Sequence, residues 1–237
     1  MGNTGFILIH GAGLGSWIWD RLTPFLKSPY LAIDAPGRGK HHRTKTKDLS
    51  LNDYALTAMR DVGNLPVEKV IIVGHSSGGI TGLELAALMK DRLAGFVGLS
   101  AIVPKAGGSF ASSMPGIQSL FLRAMINFAG TKPPESAIRK GLCSGLDIVH
   151  ADEVVRRFIP ESKQFYTDKT SYKKMPPNSL YIITDKDKQL TATIQGKMAA
   201  NLKAKHIQHL ATGHMPMLEQ PQILAGILNQ YAAGMLY

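Results

Sequence analysis

Six short strand-like runs punctuate the chain, and turn residues followed by segments with helical spacing separate them. The runs cover residues 6–10, 30–34, 69–73, 94–102, 179–184 and 206–210. Most are continuous rather than alternating, which is the pattern of strands buried on both faces of a parallel sheet. The segments between them predict helices at 17–26, with Ser16 as N-cap, and at 77–91, 193–202 and 221–231. A further helix starts at the capping-box-like Ser50-Leu51-Asn52-Asp53, carries Leu51, Ala55, Ala58, Val62 and Leu65 at helical spacing, and is closed by Pro66. On the last helix Ile223, Leu224, Ile227, Leu228 and Tyr231 share one face. Strands alternating with helices predict an α/β protein: a mostly parallel six-stranded sheet with helices on both faces.

The alternation fails between the fourth and fifth strands. Gly107-Gly108, Pro115, Pro133-Pro134, Pro160 and Pro176-Pro177 break that stretch, with helical patterns at 117–128, 134–141 and 152–158 between the breaks. It reads as a helical lid, 104–177, inserted into a core formed by 1–103 and 178–237. No internal repeat or low-complexity tract is present.

Composition narrows the class without naming it. At 237 residues, 44% hydrophobic and 19% charged, the chain can bury a large core. The single cysteine, Cys143, excludes an internal disulfide framework and reads as a buried lid residue. No apolar run approaches a membrane span, and the first residues lack a signal-peptide pattern, so a cytoplasmic location is expected. The net charge of +10 invites a nucleic-acid or membrane partner. Most basic residues are scattered, however, and the one cluster, at 38–47 with Arg38, Lys40, Arg43, Lys45 and Lys47 around His41 and His42, has no aromatic interleaving. It reads as a solvated loop, with neither nucleic acid nor membrane as partner and a monomer or homodimer expected.

Candidate chemistry gathers at strand ends, where sites of open α/β sheets form. The third strand runs into Gly74-His75-Ser76-Ser77-Gly78-Gly79 and then at once into a helix. Glycines flanking a serine in a tight strand-to-helix turn let its oxygen stand exposed. The glycine loop His10-Gly11-Ala12-Gly13-Leu14-Gly15 matches neither phosphate-binding spacing, since Ser16 and Trp17 follow. A serine hydroxyl needs a base, and the base needs a carboxylate to orient it. Asp185 and Asp187 follow the fifth strand, and His214 follows the sixth. Asp187, deeper in its loop, is the preferred acid, and the order Ser76, Asp187, His214 is the one this scaffold uses.

On these motifs, with Thr184-Asp185-Lys186-Asp187 and Gly213-His214, the chain resembles the α/β-hydrolase superfamily over essentially its full length. Trp17 and Trp19, the short N-terminus and the lid of about seventy residues are similar to the small serine esterases related to plant methyl esterases and hydroxynitrile lyases. The resemblance implies a nucleophile at Ser76, a base at His214, an acid at Asp187, and an oxyanion hole from the backbone N–H groups of Ala12 and Ser77. It implies hydrolysis through an acyl-enzyme; the apolar lid and site loops, with no charged residue aimed at a substrate, predict a small or medium apolar ester, with no cofactor and no metal expected. Thr184 stands where the family usually has glycine. Met215 stands where the lyases place lysine, which argues against cyanohydrin cleavage. Leu14, Trp17, Met114, Phe121, Met125, Phe128, Met215 and Met217 are candidate pocket walls. Amide, lactone or C–C bond cleavage, perhydrolysis, and a non-catalytic small-molecule receptor are the alternatives.

Overall fold

In the computed structural model, which describes residues 3–234 apart from the side chains of Lys90 and Phe121, the six runs form one sheet. Its strands are β1 (Thr4–Ile9), β2 (Tyr30–Ile33), β3 (Lys69–His75), β4 (Leu93–Leu99), β5 (Ser179–Thr184) and β6 (His206–Leu210), in the order β2-β1-β3-β4-β5-β6. Every pairing is parallel. Alternate residues of the central strands enter two different cores, whereas the edge strand β6 buries only Leu210. Phe6, Leu8, Val73, Leu99 and Ile182 pack on one face, whereas Ile7, Ile9, Ile72, Phe96 and Ile183 pack on the other. Burial on both faces explains why the runs are unbroken.

The helices α1 (Leu51–Val62), α2 (Gly78–Met89), α8 (Ala192–Leu202) and α10 (Pro221–Ala232) cover those faces. Ser50 caps α1 in a full capping box with Asp53, and Leu51, Ala55, Ala58 and Val62 are buried. The expected helix at 17–26 is instead two single 3-10 turns, Ser16–Trp19 and Thr23–Phe25. Gly15, not Ser16, is the cap, because the Ser16 amide is taken by Asp34 Oδ1 at 2.9 Å. On α10, Leu224 and Leu228 are buried, but Ile223 is 54% exposed and off the packed stripe.

The insert between β4 and β5 carries α3 (Phe110–Ser113), α4 (Gly116–Phe128), α5 (Glu135–Lys140), α6 (Ile148–Arg157) and α7 (Lys163–Thr167). Single-turn α3 and α7, each capped by a serine, are too short for periodicity to reveal. A further one-turn helix, α9 (Pro216–Glu219), follows β6. Cys143 is buried in the core shared by insert and sheet. Among the described residues no helix is long and apolar enough to cross a membrane.

The basic stretch 38–47 is less solvated than its composition suggests. Arg38 is 4% exposed and paired with Glu161 of the insert, while Lys40 and His41 both reach Asp61 on α1, at 3.0 and 2.9 Å.

Candidate active site

β3 ends at His75, and the next residue, Ser76, has its backbone in the left-handed region at φ 51°. A non-glycine residue there is costly, and its neighbours hold it. Its amide donates to Leu99 O at 3.1 Å, and its carbonyl accepts from Gly79 N at 3.0 Å and Ile102 N at 2.8 Å. The flanking glycines have no room for a side chain. A Cβ on Gly78 would lie 2.4 Å from Ile9 O, and one on Gly74 would lie 2.8 Å from Gly78 O.

The loop after β6 presents His214, fully buried. Its predecessor Gly213 donates to Glu219 Oε1 at 2.7 Å, and a Cβ there would lie 1.8 Å from Ser144 O. His214 Nδ1 meets Asp187 Oδ2 at 2.6 Å. A carboxylate only accepts, so Nδ1 carries the proton and Nε2 is left as an acceptor. Nε2 is buried without a partner among the described residues, and His214 lines the same cavity as Ser76.

Four more donors converge on Asp187. Gln189 N and Leu190 N reach Oδ1 at 2.7 and 2.9 Å; Thr184 Oγ1 and Gln195 Nε2 reach Oδ2 at 3.1 and 3.3 Å. Burial pushes this carboxyl up, but His214 and the two amides outweigh it and leave it below the ordinary aspartate value. Asp185 lies elsewhere: it is half-exposed and meets His209 Nδ1 at 2.8 Å. Thr184, in the position expected to be glycine, supplies a hydroxyl to the carboxylate.

Two further residues complete this network without having been read from the sequence. His75 is fully buried, donates Nε2–H to His214 O at 2.8 Å, and packs its ring 4.9 Å from the His214 ring. Burial, with the neighbouring His214 added, pushes its pKa down to about 3, so it is neutral. Gln195 on α8 is fully buried and binds Thr184 N and O as well as Asp187. The signal for it was a polar residue on the stripe Gln195, Met198, Ala199, Leu202, the buried face of its helix.

Facing Ser76, the loop after β1 brings Gly11 so close that a Cβ there would stand 2.8 Å from Ser76 Cβ. The amides of Ala12 and Ser77 have no acceptor among the described residues, and both residues line the cavity. His10 is held in one tautomer: Nδ1 donates to Gly11 O at 2.7 Å and Nε2 accepts from Ala35 N at 3.1 Å. Burial and the Arg38 charge push its pKa down to about 3.

The cavity measures about 350 Å³ and lies between these loops and the insert. Met114 and Met125 line it, with Phe110, Leu122 and Ile138. Several expected walls lie elsewhere. Leu14, Met215 and Met217 are buried in the core, since the chain turns inward after Gly13 and after His214. Trp17 packs against that core under the Arg157 guanidinium, 4.4 Å from its ring, and Phe128 points outward from α4 at 93% exposure. The Phe121 side chain lies outside the described residues.

Comparison with known proteins gives the family and the fold. Methyl jasmonate esterase 1 of Vitis vinifera is 28% identical over 251 residues, covering 95% of each chain. Salicylic acid-binding protein 2 of Nicotiana tabacum is 27% identical over 256 residues, covering 96% of each. Among solved structures, an extracellular alpha/beta-hydrolase from a Paenibacillus species superposes with a TM-score of 0.85 at 18% identity, covering 96% of this chain and 98% of that one. Polyneuridine aldehyde esterase superposes with a TM-score of 0.78 at 20% identity, covering 97% and 99%. The model of the alpha/beta hydrolase family matches residues 6–227, and the chain belongs to that family, related within it to the plant methylesterases.

Proposed function

We propose that the protein is a serine esterase that cleaves carboxylic esters of small to medium, mostly apolar substrates through an acyl-enzyme intermediate. The observation that carries this reading is His214. Its Nδ1 is fixed by a buried carboxylate, and its Nε2 is a partnerless acceptor in the cavity that Ser76 enters.

In this reading Ser76 Oγ adds to the acyl carbon as its proton passes to His214 Nε2, and the carbonyl oxygen takes the negative charge. The amides of Ala12 and Ser77 receive that oxygen. When the carbonyl re-forms, the bond to the alcohol oxygen breaks and the leaving alkoxide takes the proton from Nε2. Water then adds to the acyl carbon by the same exchange, releasing the acid and restoring Ser76. Asp187 stays ionised throughout, holding the tautomer and balancing the imidazolium. The apolar insert residues around the cavity, and relatives named methyl jasmonate esterase and polyneuridine aldehyde esterase, support an ester with an apolar body.

A panel of p-nitrophenyl esters from acetate to palmitate tests the reaction, and a fluorophosphonate probe tests the nucleophile. Turnover of at least one short or medium ester is expected, with labelling lost in Ser76→Ala while the fold persists. No turnover by folded protein would overturn the proposal.

A further inference from the structure

The loop 11–14 carries the Ala12 amide and has no polar side chain of its own, only the buried Leu14, so the rotation of its peptide planes is set from outside. Gly11 O, in the same peptide plane as the Ala12 N–H, accepts from His10 Nδ1 at 2.7 Å and from Leu14 N at 3.2 Å. The next plane is held at Gly13 N, which donates to Glu161 Oε1 at 3.0 Å. Gly13 O accepts from Ile159 N at 3.0 Å in an isolated antiparallel bridge, and Leu14 O accepts from Arg38 Nη1. The Arg38 guanidinium forks onto both Glu161 oxygens, at 2.7 and 2.8 Å, and also donates to Ile159 O at 3.2 Å. Both residues are 4% exposed. The Phe158 ring fills the place of a Gly13 side chain, 2.0 Å from where its Cβ would be.

We propose that Arg38 and Glu161 are positioning residues for the reaction: a buried ion pair that clamps the α6–α7 connection of the helical insert onto the loop 11–14 and aims the Ala12 amide at the acyl oxygen. The proposal rests on the esterase reading above. A buried pair costs desolvation that apolar side chains of equal volume would avoid, so stability does not explain it. Directionality does. A guanidinium offers donors in a fixed plane, enough to hold a carboxylate and two carbonyls at once, and the carboxylate keeps a lone pair for the Gly13 amide. Apolar side chains would fill the space and leave the rotation of these peptide planes unset. Because Glu161 belongs to the insert and Arg38 to the loop after β2, the clamp makes the donor geometry depend on the insert being docked.

The test uses Glu161→Gln, Arg38→Lys, and the double variant Arg38→Met/Glu161→Met, whose apolar pair removes the charges together and so retains the fold. On the best p-nitrophenyl ester, kcat is expected to fall about 10- to 100-fold, as for loss or misplacement of an oxyanion donor. KM should move less than about threefold, on the order expected when only transition-state binding is lost. Affinity for a trifluoromethyl ketone, which forms a tetrahedral oxyanion on serine, should fall by the same factor as kcat/KM. Affinity for the planar acid product should not. Amide exchange at Gly13 should accelerate in every folded variant. A raised KM with unchanged kcat would overturn the proposal in favour of a pocket-shaping role. Unchanged exchange, or a kcat loss without a matching loss in ketone affinity, would overturn it as well. Failure of the esterase reading shows separately, in the wild type: no ester turnover and no fluorophosphonate label on Ser76, which would leave the pair holding a loop with no oxyanion to receive.

Discussion

Replacing Asp187 by Asn removes one charge and tests the tautomer that the proposed chemistry requires. The two sides of the carboxylate differ in what they tolerate. Oδ1 faces two backbone amides, Gln189 N and Leu190 N, which can only donate. Oδ2 faces His214 Nδ1, the Thr184 hydroxyl, which can rotate to accept, and Gln195 Nε2 at 3.3 Å. An asparagine therefore keeps its oxygen on the amides and turns its NH₂ toward His214. That NH₂ donates to Nδ1, so the ring proton must move to Nε2, where it blocks proton transfer from Ser76. The wrong tautomer costs about 10⁴ in kcat in the well-studied serine proteases, or about 5.5 kcal/mol at 1.36 kcal/mol per decade. Stability should fall by only about 1.5–3 kcal/mol, the range for a hydrogen bond to a charged group, because four of the five contacts can re-form. Asp185→Asn is the control: a half-exposed partner of His209 should change kcat less than about twofold, in line with the small worth of exposed pairs. Pre-steady-state ester hydrolysis gives the rates, and ¹⁵N spectra of the His214 ring report the protonated nitrogen directly. Activity within tenfold of wild type in Asp187→Asn, or loss in Asp185→Asn instead, would refute the reasoning.

Two other outcomes follow from buried histidines and from glycines. His10 and His75 have native pKa values of about 3 against 6.5 when unfolded, so below pH 6.5 the unfolded chain binds protons that the native state refuses. Stability therefore falls as pH drops, by about 2 kcal/mol per histidine between pH 7 and pH 5. Urea unfolding at the two pH values measures it, and His75→Asn should remove about half of the difference; an unchanged difference would count against it. Gly226, exposed on α10 with open space where a Cβ would stand, should accept alanine with a gain of about 0.5–1 kcal/mol in thermal unfolding. Gly13→Ala, at φ +80° and against the Phe158 ring, should be strongly destabilised in the same assay.

The sheet was legible because its signals are local. A strand buried on both faces announces itself in five or six residues, and each chemistry-bearing group lies within four residues of a strand end. Asp187 and Asp185 differ in sequence only by their depth in the loop, and in the structure they meet different histidines, His214 and His209. What stayed illegible depends on partners far along the chain. Arg38 looked like one of a cluster of solvated basic residues, and only its contact with Glu161, 123 positions later, makes it a buried group. His75 stands in plain view beside Ser76, yet its bond to the His214 carbonyl spans 139 positions. The cap at Ser16 failed for a related reason: its own amide donates to Asp34, just past β2, and the residue starts the 3-10 turn instead of capping it.

The pocket was the least readable part, and α4 shows why. Its residues Gln118, Leu122, Met125 and Ile126 line the cavity, while Ile117, Leu120 and Phe128 are exposed by 83, 70 and 93%. A helix normally marks its inner face by apolar residues and its outer face by polar ones. Here both faces are apolar, and the one glutamine of the inner set borders the cavity. Periodicity therefore located the helix but could not orient it, so Met125 and Phe128, three residues apart and equally apolar, went to opposite sides. Orientation came from the insert's attachments instead: Thr131 Oγ1 donating to Glu161 O and Lys163 Nζ donating to Asn127 O tie the end of α4 to the segment that Arg38 clamps. These bonds fasten the C-terminal end of α4 to the 161–163 segment, and contacts of that kind, made far along the chain, are what decide which apolar face of the helix turns inward.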